Sequence, residues 1–471
     1  MAVNFLHGVE SLYLDNGPRP VTVVKSAVVG LIGIAPKGPI NTPTLVTGDT
    51  LAAQFGKSVP GFNIPQALDA IFKQGAGTVV VVNVFDAAEN TAAVTDEAHT
   101  LVARKTKLSF APIGEVTITN ADDSPSDLVK DTDYTLDEYG NFVGIKSTVT
   151  ETMALKFTYA KLDASTITAG LLIGDVDGDG NRTGMQAWSL AKNLFGFNPK
   201  ILIAPGYSSL TSVAAELISQ AGALKAVSLL DAPAGATVAE AIAGRGVDGS
   251  INFNTSSKRA FLLYPYLKAY DAATDSNIDA PYSQFMAGVI AATDNEFGYW
   301  YSPSNKEIKG IVGAERNISA SLNDAGSDAN TLNEAGITTI FNTFGTGIRT
   351  WGNRSASFPT STAPDNFISI LRTADVVSES VENSILQFID KPITQALIDA
   401  IRESCNAFVR VLIGRGALIA GSRVEFPKDV NTTSTIAAGQ LTYDVIMMPP
   451  PPFERGTFRY ILDITLLKNL G

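Results

Sequence analysis

The chain has 471 residues, 45% apolar and 17% charged, with 40 glycines, one cysteine, two histidines and a net charge of −12. That charge excludes non-specific grip on nucleic acid or an anionic membrane, and a single cysteine excludes an intrachain disulfide. The length exceeds what one hydrophobic core organises, so about two to four domains are expected.

Few charges and many glycines point to tight turns and to less polar surface than a free monomer needs, hence to large contacts with other chains. No apolar run reaches the roughly 18 residues of a membrane span, and the N-terminus lacks a signal-peptide pattern. A soluble chain made in the cytoplasm is therefore expected.

Residues 1–20 carry Gly8, Gly17, Pro18 and Pro20 without sustained periodicity and read as an extended arm. Val21–Val24 and Ala27–Ile34 read as strands, closed by the turn Pro36–Pro39. Pro65–Phe72 is a proline-started helix that leads to the uniformly apolar strand Thr78–Val84, the pattern of a sheet covered on both faces. Residues 100–165 change character. Strand-like pieces such as Val116–Thr119 and Leu155–Tyr159 alternate with acidic turns, and residues 121–180 hold 12 acidic and 4 basic side chains. A small β-rich insertion with a solvated face is expected there.

From 180 to about 355 the α/β pattern returns. Helices near 184–195 and 209–220 precede the strands Lys200–Pro205 and Ala226–Pro233, and Ala260–Tyr264 adds another, so a parallel sheet is expected. Residues 376–425 read as mostly helical. The tail from Gln440 reads as a strand, the break Pro449–Pro452, and a final strand. In that last strand Phe458, Tyr460, Leu462, Ile464 and Leu466 share one face.

Motifs that would carry chemistry are weak. Asp175, Asp177 and Asp179 alternate as in the first half of a calcium loop, but residue 186 is Gln where a bidentate carboxylate is needed. Leu171–Ile173, just before, reads as strand, so a plain acidic turn is the simpler reading. Gly56-Lys57-Ser58 lacks the earlier glycine and the feeding strand of a phosphate loop, and Gly345-Thr346-Gly347 lacks a strand–turn–helix context. Only His7 and His99 could activate a nucleophile, one near the chain end and one in a polar stretch. Cys405 sits in a helical stretch as a buried, inert thiol. Asp294, Glu296 and Arg349 have no spacing that identifies a reaction. The most unusual segment is Ile348-Arg349-Thr350-Trp351-Gly352-Asn353-Arg354, where guanidinium groups could stack on the indole or reach carboxylates across a junction. Asp294–Pro303 is aromatic and turn-rich, suited to packing a junction.

At these residues the chain resembles the tail sheath proteins of contractile phages and of contractile R-type bacteriocins. The resemblance runs through Phe55-Gly56, the Ala67–Val84 helix and strand, Thr183-Gly184, Asp294-Asn295 with Gly298, Trp300 and Pro303, Leu332-Asn333 with Gly336-Ile337, and Gly347–Arg354. It continues through Gly414–Gly421, Asn431-Thr432 and Gly439–Leu441. It implies an α/β multidomain subunit with a subtilisin-like α/β core lacking a protease site, a β-rich outer insertion, an α+β C-terminal domain and extended terminal arms.

Carried onto this chain, the resemblance implies an N-terminal linking arm (1–20), a core formed by 21–94 and 166–355, the insertion (95–165), a tube-facing domain (356–454) and a C-terminal linking arm (455–471). It also implies stacked hexameric rings around a tail tube, contraction on a signal from the baseplate, a tail terminator partner, and no enzyme activity, cofactor, nucleic acid or membrane. Arg349, Trp351 and Arg354 are expected at a structural junction. The face of Phe458, Tyr460, Leu462, Ile464 and Leu466 is expected in intersubunit exchange, although on residues alone it could equally complete the chain's own sheet. The alternatives are a soluble α/β hydrolase-like enzyme and another virion structural protein.

Overall fold

The computed structural model describes residues 21–251, 253–271, 274–343, 345 and 347–470. The expected arm over 1–20, with His7, lies outside the described residues. The chain is a mixed α/β, multidomain protein with several sheets. No helix among the described residues is long and apolar enough to cross a membrane.

Strands β1 (Val29–Gly33) and β3 (Val79–Asn83) are buried at every position, as inner strands of a sheet covered on both faces must be. Between them lie β2 (Thr44–Val46), α1 (Asp49–Ala52) and α2 (Ile64–Lys73). Pro65 stands in the first turn of α2, where a missing N–H costs no helical bond. Gly30 in β1 cannot carry a side chain: a Cβ there would lie 2.8 Å from Leu202 Cδ2 and 3.2 Å from Trp188 Cε2. Val21–Val24, expected as a strand, forms none. The segment contacts the C-terminal part instead, with Val21 packed on its apolar cluster and the Val24 N–H donating to Ser380 Oγ at 3.2 Å.

The insertion comprises β4 (Thr91–Thr100), β5 (Lys105–Lys107), β6 (Ile113–Asn120), β7 (Tyr134–Leu136), β8 (Asn141–Gly144) and β9 (Ala154–Leu162). They form two antiparallel sheets, ordered β4-β9-β6 and β5-β8-β7. Leu108, Tyr134, Phe142, Leu155 and Phe157 give this unit its own core, with Phe142 packed on Tyr134 and Phe157 at 4.9 and 5.6 Å between ring centroids. One half-buried carboxylate organises its polar side. Glu97 accepts from Ser109 N (2.9 Å), Ser109 Oγ (2.6 Å) and Tyr159 Oη (2.5 Å), and His99 Nε2 lies 2.8 Å away. Burial alone would raise the Glu97 pKa, but donation from Ser109, Tyr159 and His99 outweighs it and holds the group down at about 2.

After the insertion come α3 (Ala169–Ile173), α4 (Ala191–Phe195), β10 (Ile201–Ile203), α5 (Thr211–Ala223), β11 (Val227–Asp231), α6 (Val238–Ala243) and β12 (Ala260–Leu263). A side sheet of β13 (Leu267–Asp271), β14 (Ser276–Ala280) and β15 (Gly313–Ala314) surrounds the entry to α7 (Tyr282–Glu296). Then α8 (Asp328–Glu334) returns to β16 (Ile337–Thr343) and β17 (Gly347–Trp351). Two sequence-based assignments need correction. Leu171–Ile173 is helical, because Thr168 Oγ1 caps α3 by accepting from Leu171 N at 3.3 Å. The helix expected over 184–195 is a 3-10 turn, Gly184–Leu190, followed by α4.

The central sheet is ordered β17-β16-β12-β11-β10-β1-β3-β2. Its six inner strands are parallel, and β2 and β17 are antiparallel edges. Alternation within each strand divides two apolar layers. Ile32, Val80, Val82, Leu202, Leu230 and Leu262 meet Met185, Trp188, Val213 and Leu217 on one face. Leu31, Val81, Ile203, Leu229 and Phe261 meet residues of α2 and α7 on the other.

The C-terminal part contains α9 (Ile368–Ile385), α10 (Gln395–Gly414), β18 (Arg423–Glu425), α11 (Thr433–Ala437) and β19 (Asp444–Ile446). Ile398, Ile401, Cys405, Phe408, Val409 and Leu412 recur at three- and four-residue spacing, so α10 turns one apolar face inward. Burial raises the Cys405 thiol pKa.

Helix α9 is shared between two cores, with Ile368 and Leu371 in the sheet layer and Val377 in the C-terminal cluster. Charges fasten it across the starts of three parallel strands. Arg259, before β12, grips Asp375 with two bonds of 2.7 and 2.9 Å. Lys225, before β11, meets Glu382 and donates to Ser378 Oγ at 2.9 Å. Lys200, before β10, lies 2.5 Å from Glu379. Deepest is Arg372, which donates to both oxygens of Asp294 in α7 at 2.7 and 2.6 Å and to Ser26 O at 3.1 Å.

Removing one partner of that buried pair leaves a charge in a site that cannot hydrate it. Arg372→Ala is expected to destabilise the chain by about 3–5 kcal/mol, read as a fall in the urea midpoint, with replacement of both residues by apolar ones costing less. Glu97 gives a pH test. Its folded pKa is depressed below 4.5, so its contribution is complete above that value and is lost as pH falls toward 2. Glu97→Gln should cost about 1–3 kcal/mol at neutral pH and flatten the acid dependence of the insertion's calorimetric transition.

Candidate functional site

The segment singled out by sequence splits into two environments. Arg349 and Trp351 lie on the same face of β17, and buried Thr350 lies on the other. Trp351 does not stack on arginine. Register pairs it with Thr339 on β16, and its ring stacks diagonally on Phe341 at 4.5 Å and 27°. Arg349 Nη1 donates to Asn305 O at 2.8 Å. The stretch around Asn305–Ile308 covers the outer edge of β17 through Asn305 N to Thr350 O, Thr350 N to Lys306 O and Ile308 N to Ile348 O. Gly352 then turns the chain at φ 131°, where a Cβ would stand 2.9 Å from Thr338 Cα.

Beyond that turn Arg354 reaches a distant part of the chain. Its Nε donates to both oxygens of Glu454 at 3.0 Å, and its Nη2 also meets that carboxylate. Nη1 donates to Asn366 Oδ1 at 3.2 Å, and the guanidinium carbon lies 4.3 Å from the ring centroids of Phe358 and Phe367. The structure thus brings Arg354 to the root of the C-terminal arm. Sequence reading missed Glu454, Phe358 and Phe367 as its partners, because nothing local marks them.

The arm itself forms no strand within this chain. Residues 450–463 are without regular structure, and Ile464–Leu470 form a 3-10 turn. Phe458, Tyr460, Leu462, Ile464 and Leu466 are 62–96% exposed. The chain's own sheets therefore do not absorb them. The nearest sheet in sequence, β18 with β19, has two strands. Val424 turns its N–H and C=O to the side-chain amide of Asn406, each bond 2.8 Å long, so the outer edge of β18 is already occupied. All three residues of β19 are exposed.

Other candidate chemistry does not assemble. Asp177 accepts from Asp179 N and Asn181 N at 2.9 and 2.8 Å and from Asn181 Nδ2 at 2.7 Å, and those bonds, Asn181's first, lower its pKa. Asp175 accepts from Val176 N at 2.7 Å. Among the described residues no group of three or more His, Cys, Asp or Glu could hold a metal ion. Asp294 is engaged by Arg372, and Glu296 is exposed. At the end of β11 the buried Asp231 accepts from Ser283 N (2.7 Å), Ser283 Oγ (2.5 Å) and Ser208 Oγ (3.2 Å). Burial raises its pKa to about 6 against these bonds. His99 lies in the insertion, so this serine–carboxylate pair has no imidazole from it.

Three stretches match phage sheath families: residues 26–84 the tail sheath protein Gp18 domain III N-terminal region, 180–356 the phage tail sheath protein central domain, and 360–462 the phage tail sheath C-terminal domain. The tail sheath protein of Burkholderia phage BcepMu is 45% identical, with 97% of both chains aligned. That of Escherichia phage P2 is 26% identical over 99% of this chain and 98% of its own. Among solved structures, the anti-feeding prophage helical sheath in its contracted state shares the fold with a TM-score of 0.59 at 17% identity, covering 98% of this chain and all of that one. The PVC sheath complex in its contracted state gives 0.58 at 16%, covering 99% of each. A sheet whose carboxylate is sealed in serine bonds, an apolar arm left in water and these relatives agree: the chain belongs to the phage tail sheath protein family and is a structural subunit of a contractile tail sheath, in a virion or phage-like particle, and not an enzyme.

Proposed function

We propose that the subunit polymerises as stacked hexameric rings around a tail tube and shortens on a signal from a baseplate, driving the tube through a target envelope. The observation that carries this reading is the C-terminal arm. Five large apolar side chains of one alternating face stand in water, where burial would stabilise each by about 1.5–3 kcal/mol. Among the described residues no backbone hydrogen bond outside the ladder engages β19, so this two-stranded sheet, marginal in water by itself, is a natural acceptor on that side. Residues 455–471 of one subunit would add to the outer edge of β19 in a neighbour, beside a strand from residues 1–20 of another. Backbone bonds supply affinity and the apolar face sets register.

In this reading the 356–454 region faces the tube, the 95–165 insertion lies outward, and a terminator closes the end of an assembly made in the host cytoplasm. The extended lattice is kinetically trapped above the contracted one, and arms keep subunits connected while cores move. The parallel sheet with helices on both faces also supports the subtilisin-like description of the core.

Removing residues 456–471 should leave a folded, soluble monomer that forms no tubes in negative-stain images. Normal tubes from the truncated chain would sink the exchange mechanism, as would loss of its melting transition. Replacing residues 95–165 by a short linker should preserve tube formation, because neither arm passes through the insertion. Collapse of the core's cooperative transition in that deletion would remove its assignment as a separate outer unit.

A further inference from the structure

We propose that Arg354 and Glu454 form a releasable latch that sets the pivot of the C-terminal arm at the Arg455–Gly456 step. This inference rests on the arm-exchange reading above. Among the described residues, hydrogen bonds tie the chain after β19 to the folded body at two points. Met448 is held first, its O accepting from Ile419 N at 2.9 Å and its N–H donating to Ser422 Oγ at 3.4 Å. After Pro449–Pro452 comes Glu454, in the two-oxygen grip of Arg354. Among the described residues beyond it, the side-chain hydrogen bonds stay inside the arm, from Thr465 to Asp463. Glu454 is therefore where the arm parts from the body.

The two halves of the latch differ in rigidity. Arg354 is preset by Asn366 and by the rings of Phe358 and Phe367, and its backbone bridges to Phe367 immediately before α9. Its side chain is 21% exposed and that of Glu454 is 40% exposed. A charge-assisted fork on a fixed guanidinium is directional, yet at this exposure water and salt weaken it enough to open. Closed, the latch presents the arm in one direction and lowers the ordering cost of strand exchange. Open, it frees the arm as neighbouring subunits shift.

The test uses the full chain in a Cys405→Ala background with a nitroxide label at Thr457→Cys. In the dilute monomer, Glu454→Gln should increase label mobility, and added salt should do the same only when Glu454 is present. The critical concentration for tube formation should rise roughly two- to fivefold in Glu454→Gln, with no change in melting temperature. Arg354→Gln combined with Glu454→Gln should cost less than the sum of the single changes. Equal label mobility with and without the Glu454 charge, or strictly additive effects, would overturn the latch. If Arg354→Gln does not fold, the Glu454→Gln label measurement decides alone. Tubes formed by a chain lacking 456–471 would overturn arm exchange, while the label result would stand, so the two failures are distinct.

Discussion

The Arg372–Asp294 pair joins three parts of the chain at a point almost sealed from water: α9, the end of α7, and Ser26 on the path toward the N-terminus. Desolvating two charges is costly, and the cost is offset here because Nη1 and Nη2 each donate to one carboxylate oxygen and Nη2 also donates to a carbonyl. Once that junction is made, α9 lies across the starts of β10, β11 and β12, and Lys200, Lys225 and Arg259 fall opposite its carboxylates. The same helix then supplies Val377 to the C-terminal cluster. Both terminal routes follow from this placement. Val24 rests on Ser380, and Arg354 bridges to Phe367 just before the helix begins. Thirteen residues of helix hold those two positions about 20 Å apart.

The parallel sheet spends one prominent strand end on structure. The ends of its strands are where α/β proteins place ligands, and in β11 that position holds Asp231. Its oxygens are filled by Ser208, by Ser283 and by the first turn of α7, and the residue is 1% exposed. A carboxylate spent on anchoring a helix start is a structural part. The large apolar side chains left in water include those of Phe458, Tyr460 and Leu462 near the end of the chain.

Much of the sheet was legible because its signals are local. Val79–Val82 and Val227–Leu230 are apolar runs bounded by turns, and Pro65 marks a helix start. Short elements misled for the same reason: Leu171–Ile173 has strand composition, but Thr168 and Gly174 cap it as a helical turn. Val21–Val24 has strand composition, yet its contacts are with Ser380 and the C-terminal cluster. The Arg354 region stood out through its unusual residues, yet its partners did not. Glu454 lies 100 residues away in sequence, and Asp294 is 78 from Arg372. No periodicity encodes a pairing over that distance. Trp351 misled in another way. Its arginines lie within three residues in sequence, but strand pleating hands the ring to Phe341 across the ladder.

Pro449–Pro452 separate β19 from the arm, and their stiffness has a kinetic meaning. Four prolines in succession hold an extended path of about 3 Å per residue and cannot make the tight reversal of a hairpin. Without that rod, the arm that follows β19 would sit beside the outer edge of that strand at millimolar effective concentration, as short flexible tethers do. Self-closure would then outcompete any partner at cellular protein levels, and the chain would end as an inert monomer. In the exchange proposed above, the prolines would hold the arm away from β19 of its own chain, where no backbone hydrogen bond outside the ladder forms among the described residues.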